Sequence, residues 1–159
     1  VAECVRCLQG GGPADLEEIV LDLCVTVSVS DRETLRGWLR DGTAWRKFQL
    51  MVGAQGGDVD SLGRLAEIHH APCIGELRAP ASGMVRKMDA GIIGQVILEL
   101  GGGRARAEDE IDPAVGCDEL AKTGAEVRFG DTLLRVHART DVALDAAIAR
   151  LREAVSIES

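Results

Sequence analysis

The chain reads as α+β, an N-terminal helical block followed by an α/β-hammerhead (barrel-sandwich-like) domain, and three observations predict this. Apolar residues recur at helical spacing across residues 1–58. The period lapses over 59–75, where His69-His70-Ala71-Pro72 reads as linker and domain boundary. Over 76–159 short apolar runs are separated by glycine turns. Among them Gly124-Ala125-Glu126-Val127, followed by Gly130-Asp131-Thr132-Leu133, is a GxxV…GDxL pair typical of hammerhead and barrel-sandwich units. Glycine turns the backbone sharply there, while Val and Leu fill a narrow interior.

Each element follows from local chemistry. Val1, Cys4, Val5 and Leu8 make the stripe of a first helix, ended by Gly10-Gly11-Gly12. Pro13 and Asp15 open a second, with Asp15 as N-cap or first-turn acid and Leu16, Ile19, Val20 and Leu23 as the expected buried face. Val25–Ser30 alternates like a strand but reads as a loop. Ser30 and Glu33 form a capping box for a third helix carrying Leu35, Trp38 and Leu39, stopped at Gly42. Thr43 is the expected cap of a fourth, whose face is Trp45, Phe48, Met51 and Val52 and whose end is Gln55-Gly56-Gly57-Asp58. Beyond the linker, GELRAP, SGMVRKMD, AEVRF and GDTLLRVHA read as strands, and Gly91–Leu100 is apolar at helical spacing. Ile111–Ala121 is mixed, and a closing helix carries Leu144, Ile148, Leu151 and Val155.

Composition narrows the function. A net charge of −8 leaves no dense Lys/Arg footprint, which excludes nucleic acid and an anionic membrane surface as expected partners. No apolar run approaches 18 residues and no signal peptide is visible. Five cysteines without regular spacing fit a reducing cytoplasm rather than a disulfide framework. The chain starts at Val1 inside an uncapped helix, so a piece of a longer protein is expected.

Few constellations carry chemistry. Cys4 and Cys7 form a CxxC in a helix with no second pair, so packed thiols are expected. His69 and His70 are adjacent loop residues that rarely point the same way, and His137 reads as a strand end. Gly10-Gly11-Gly12 lacks the preceding strand and Lys-Ser/Thr of a phosphate loop, while Gly101-Gly102-Gly103 follows a helix and reads as its C-cap. Glu108-Asp109-Glu110 reads as a solvated turn. Lys87 in VRKMDAG invites comparison with the modified lysine of biotinyl and lipoyl carriers, but no hairpin of their MKM type surrounds it.

GGGPADL at Gly10–Leu16, WRKFQLMVGAQGGD at Trp45–Asp58 and LGGGRARAEDEID at Leu100–Asp112 resemble, in order and spacing, the pyrimidine nucleoside phosphorylases, a family that includes thymidine phosphorylase. APASGMV, VGCDEL and TGAEVRFGDTLLRVHA extend the resemblance over nearly the whole chain, least across Val25–Thr34 and Gly63–Cys73. It implies residues 1–58 as a helical segment of the family's α/β domain, 59–75 as linker and 76–159 as its C-terminal α/β-hammerhead. It also implies an enzyme cleaving thymidine or uridine with phosphate, using no organic cofactor and homodimeric when complete. The family's phosphate loop and base-gripping Arg, Ser and Lys all match positions upstream of this chain, so no catalytic or substrate-binding residue carries over. Glu3 alone does, matching a glutamate that gives one oxygen to a potassium-like monovalent cation. The isolated chain is therefore expected to be inactive, with the N-terminal remainder of the enzyme as partner. The alternative is a noncatalytic hammerhead module for binding or regulation.

Overall fold

The structure, a computed structural model, describes residues 2–158 and comprises two compact units, Val1–Ile68 and His69–Ser159. Val1, assigned by its sequence to the stripe of the first helix, lies outside the described residues.

The first unit is helical: α1 (Ala2–Leu8), α2 (Ala14–Val27), α3 (Arg32–Arg40), α4 (Thr43–Ala54), a 3-10 turn at Leu62–Arg64 and α5 (Leu65–Ile68). Pro13 is the N-cap of α2, and Asp15 is an acid of its first turn. The helix runs on through Val27, with the Ser28 N–H donating to Cys24 O at 2.9 Å, so the first half of the expected loop at Val25–Ser30 is helix. The capping box is displaced by one residue: Asp31, not Ser30, caps α3 by accepting from Thr34 N at 2.8 Å. Gly42, not Thr43, is the N-cap of α4, while the Asp41 carboxylate accepts from Thr43 N at 2.8 Å. As expected, the double glycine closes α4. Gly56 sits at φ +78°, Gly57 N–H donates to Val52 O (2.9 Å) and Gly56 N–H to Gly53 O (3.0 Å), the paired bonds of a Schellman cap. The expected linker 59–75 is structured at both ends: Leu62 is buried in the 3-10 turn, and the first strand begins at Cys73.

The second unit holds β1 (Cys73–Arg78), β2 (Gly83–Met88), α6 (Ala90–Ile97), β3 (Gly116–Asp118), β4 (Glu126–Val127), β5 (Thr132–Ala138), α7 (Asp141–Leu151) and β6 (Val155–Glu158). The strands form two antiparallel sheets, ordered β1-β5-β3 and β4-β2-β6. Helix α6 passes into a wide π turn, Leu98–Gly102, and α7 is capped by the Thr140 hydroxyl accepting from Ala143 N at 3.2 Å. Val155, expected on the closing helix, is instead the first residue of β6. The helix ends at Leu151, a 3-10 turn over Arg152–Ala154 redirects the chain, and Val155 pairs with Met88. At Gly83 (φ +156°) a Cβ would lie 2.3 Å from Glu158 O, so only glycine lets β2 and β6 meet there.

One apolar cluster fills this unit. Val85, Leu134, Val136 and Leu151 are fully buried, and Leu133 is 1% exposed. A register shift beside Leu77 and Arg78 sets Leu133 out of ladder pairing, so two successive leucines both enter the core.

Candidate functional site

Glu3 is an exposed first-turn acid of α1 and, with Arg6, Gly11, Gly12 and Pro13, borders a surface hollow of about 310 Å³. Hard cations gather about six or more oxygens. Here one carboxylate shares its hollow with a guanidinium, and among the described residues no group of three or more His, Cys, Asp or Glu could hold a metal ion. The residues of this chain do not fit a cation site by themselves.

The other sequence candidates are not brought together into a reactive site. All five cysteines are free. Cys4 is exposed, while Cys7 packs its Sγ against Gly12, and burial, then the charge of Glu3, pushes its thiol pKa up and disfavours a reactive thiolate. His69 and His70 are exposed ahead of β1. Lys87 lies within β2 rather than on a hairpin tip, with Nζ 2.8 Å from Asp89 Oδ2. Gly10 and Gly11 close α1, their N–H groups donating to Cys7 O (3.0 Å) and Arg6 O (2.9 Å) and not to an anion. Gly101-Gly102-Gly103 likewise ends the turn after α6. Asp109 does more than face solvent: its Oδ2 accepts from Ala105 N (3.0 Å) and Arg106 N (2.8 Å), tying off its loop.

The best-organised polar cluster lies on the sheet of β3 and β5. Asp118 and Arg135 sit opposite each other in register and join through two parallel bonds, Nε to Oδ1 at 2.8 Å and Nη2 to Oδ2 at 2.6 Å. Glu119, held in the left-handed region at φ 51°, adds a carboxylate 3.2 Å from Arg135. His137 is interior to β5, not a strand end. Its Nε2 is buried and lies 3.0 Å from Asp118 Oδ1, close enough for an ion pair when the ring is protonated. Arg135, with His137 adding, holds Asp118 below the usual carboxylate range. Burial pushes the neighbouring Cys117 thiol up to about 11, with the Asp118 charge adding. A protonated thiol and a neutralised carboxylate supply no nucleophile, and the cluster clamps the short β3 onto β5.

What the chain does present is apolar surface on its first unit. The expected buried face of α2 points outward: Ile19 is 56% exposed and Leu23 63%, with Val20 also exposed and Leu16 half-buried. Leu21 is the residue that α2 buries, on the opposite side. Val27 extends the open stripe at 87% exposure. Helix α4 buries none of its residues fully. Trp45 and Phe48 pack as tilted rings 6.0 Å apart, and Leu50 and Met51 are exposed. Helical spacing in the sequence showed the stripe; nothing in it showed which way the stripe would face.

Comparison with known proteins gives this surface a context. Residues 84–158 match the family described as the pyrimidine nucleoside phosphorylase C-terminal domain. Thymidine phosphorylase of Burkholderia cenocepacia is 36% identical over 150 residues, 88% of this chain and 34% of that protein. Pyrimidine-nucleoside phosphorylase of Staphylococcus haemolyticus is 33% identical over 166 residues, covering 99% of this chain and 38% of the relative. Thymidine phosphorylase of Mus musculus is 36% identical over 155 residues, 86% and 33% of the two chains. The chain thus spans about a third of the length of the curated relatives it matches.

Proposed function

We propose, from the premise that this chain belongs to the pyrimidine nucleoside phosphorylase family, that it provides the helical support and C-terminal domain of a pentosyltransferase whose reacting groups lie outside it. In that reading Val1–Ile68 is a helical segment of the enzyme's α/β domain and His69–Ser159 its α/β-hammerhead. The complete enzyme transfers the sugar of thymidine or uridine to inorganic phosphate, without an organic cofactor. It works in the cytoplasm as a homodimer, with neither nucleic acid nor membrane as partner. The net charge of −8 supports the last point, and among the described residues no helix is long and apolar enough to cross a membrane.

The observation that carries this reading is the outward stripe Ile19, Leu23 and Val27, in a chain one third as long as its relatives. A contiguous exposed apolar face marks an interaction surface, and the segment absent from this chain is the occupant we assign to it. Glu3 in this reading gives one oxygen to a potassium-like ion whose remaining ligands come from that segment. Glu3→Gln should then weaken potassium activation only in the completed enzyme; unchanged potassium dependence there would remove the assignment.

The test is complementation. The purified 159-residue chain should release no thymine from thymidine and phosphate. Co-expression with the preceding two thirds of a related phosphorylase should give a complex on size exclusion and phosphate-dependent thymine release. Thymine release by the chain alone would sink the proposal, and so would two soluble fragments that neither associate nor react.

A further inference from the structure

The second unit contains a groove of about 410 Å³ between its two sheets, within the size of small-molecule sites. Leu77 of β1 and Leu133 of β5 form one wall, Val155 and Ile157 of β6 the other, and Ile148 of α7 the floor. All are aliphatic, and none of the residues that line the groove is aromatic; Phe129, the unit's one Phe, is not among them.

Charge at the mouth is unevenly used. Glu76 is held by Arg78 and by the Thr132 hydroxyl, which donates to its Oε2 at 2.9 Å. Arg78 also donates to Gly130 O at 2.9 Å. Arg152, on the 3-10 turn between α7 and β6, borders the same groove and has no ion pair or hydrogen bond among the described residues. Among the described residues that line the groove, the open charge at the mouth is therefore a guanidinium, beside the aliphatic Ile148, Val155 and Ile157.

We propose that this groove binds an aliphatic carboxylic acid, with the hydrocarbon chain against Ile148, Val155 and Ile157 and the carboxylate on Arg152. Chain burial supplies the affinity, and the guanidinium selects an acid over a neutral molecule of the same shape. Planar heterocycles are disfavoured by the missing aromatic wall. The proposal uses residues of the second unit alone and does not rest on the function proposed above.

The test is a methyl-resolved NMR titration of the full 159-residue chain, using decanoate below its micelle concentration and decanol as the uncharged control. Decanoate should shift the methyls of Ile148, Val155 and Ile157 saturably. Arg152→Gln should weaken decanoate by about tenfold, the scale of one charge-assisted contact, and leave decanol unchanged. Arg152→Lys should restore most of the loss, and dispersed methyl signals in each variant show that it is folded. The absence of saturable shifts at these methyls at millimolar decanoate overturns the proposal. Equal binding of acid and alcohol, or equal shifts at Ile19 and Leu23 on α2, overturns it as well, since either means unspecific adsorption.

Discussion

The two units are built from similar proportions of aliphatic residues and use them in opposite ways. In His69–Ser159 they converge: two sheets and two helices close on one cluster in which Val85, Leu134, Val136 and Leu151 lose all contact with water. Among the described residues of Val1–Ile68 the buried apolar side chains are Val5, Leu21, Leu35 and Leu62, while Ile19, Leu23, Val27, Leu50 and Met51 face outward. Burial of one such side chain contributes roughly 1.5–3 kcal/mol, so the first unit leaves unused the stabilisation that the second collects. An amphipathic stripe thus identifies a face that needs covering, without specifying that the cover belongs to the same chain.

The sharpest break between the units should come from truncating equivalent residues. Leu134→Ala or Leu151→Ala, at full burial, should cost about 2–5 kcal/mol in urea denaturation. Leu23→Ala, 63% exposed, should stay within about 0.5 kcal/mol; an equal loss there would erase the distinction. Next in size is a helix cap. Thr140→Ala removes the bond to Ala143 N and should lower the stability of the second unit by about 1 kcal/mol. On α3, Asp31→Ala should reduce helicity by circular dichroism more than Ser30→Ala, since Asp31 holds the cap.

The smallest effect concerns pH. Arg135 lowers the pKa of Asp118 in the folded chain, so the stability it adds is complete above the unfolded value of about 3.9 and is lost as pH falls through the lower folded value. The urea midpoint of the second unit should therefore drop below about pH 4, and Asp118→Asn should flatten that drop. Glu18 on α2 is lowered in the same direction by Arg32 and Arg36, but it is exposed. Glu18→Gln should change the profile less, and a larger change from it than from Asp118→Asn would mean that the first unit is the better ordered.

Legibility followed the range of the interactions. Helices α1 to α4, the double-glycine cap of α4 and strands β1, β2 and β5 are local features, and their residues marked them. The two missed strands depend on distant partners. β3 has three residues and exists through Arg135 and His137 across the sheet, and β6 was concealed because Val155 continues the 3.6-residue spacing of Leu144, Ile148 and Leu151. Capping slipped by one residue at Asp31 and Gly42 because Ser30, Asp31 and Thr43 all have cap chemistry and only the path of the chain selects among them. On α2 the apolar residues occupy two faces, and spacing could not tell Leu21 from Ile19 and Leu23. Of the candidate site, whether His137 would meet Asp118, or Arg152 border a groove, depends on pairings remote in sequence.

Native-state hydrogen exchange on the 159-residue chain tests the central claim most directly, because it reads each helix and strand separately. Amides of β5 around Leu134 and Val136 should exchange only through global unfolding. Those of α2 around Ile19 and Leu23 should exchange through local opening at least about a hundredfold faster, a gap of roughly 2.7 kcal/mol, and slow toward the β5 rates when the preceding two thirds of a related phosphorylase are supplied. Protection of α2 equal to that of β5 in the isolated chain would contradict the account, since the first unit would then be complete without a cover.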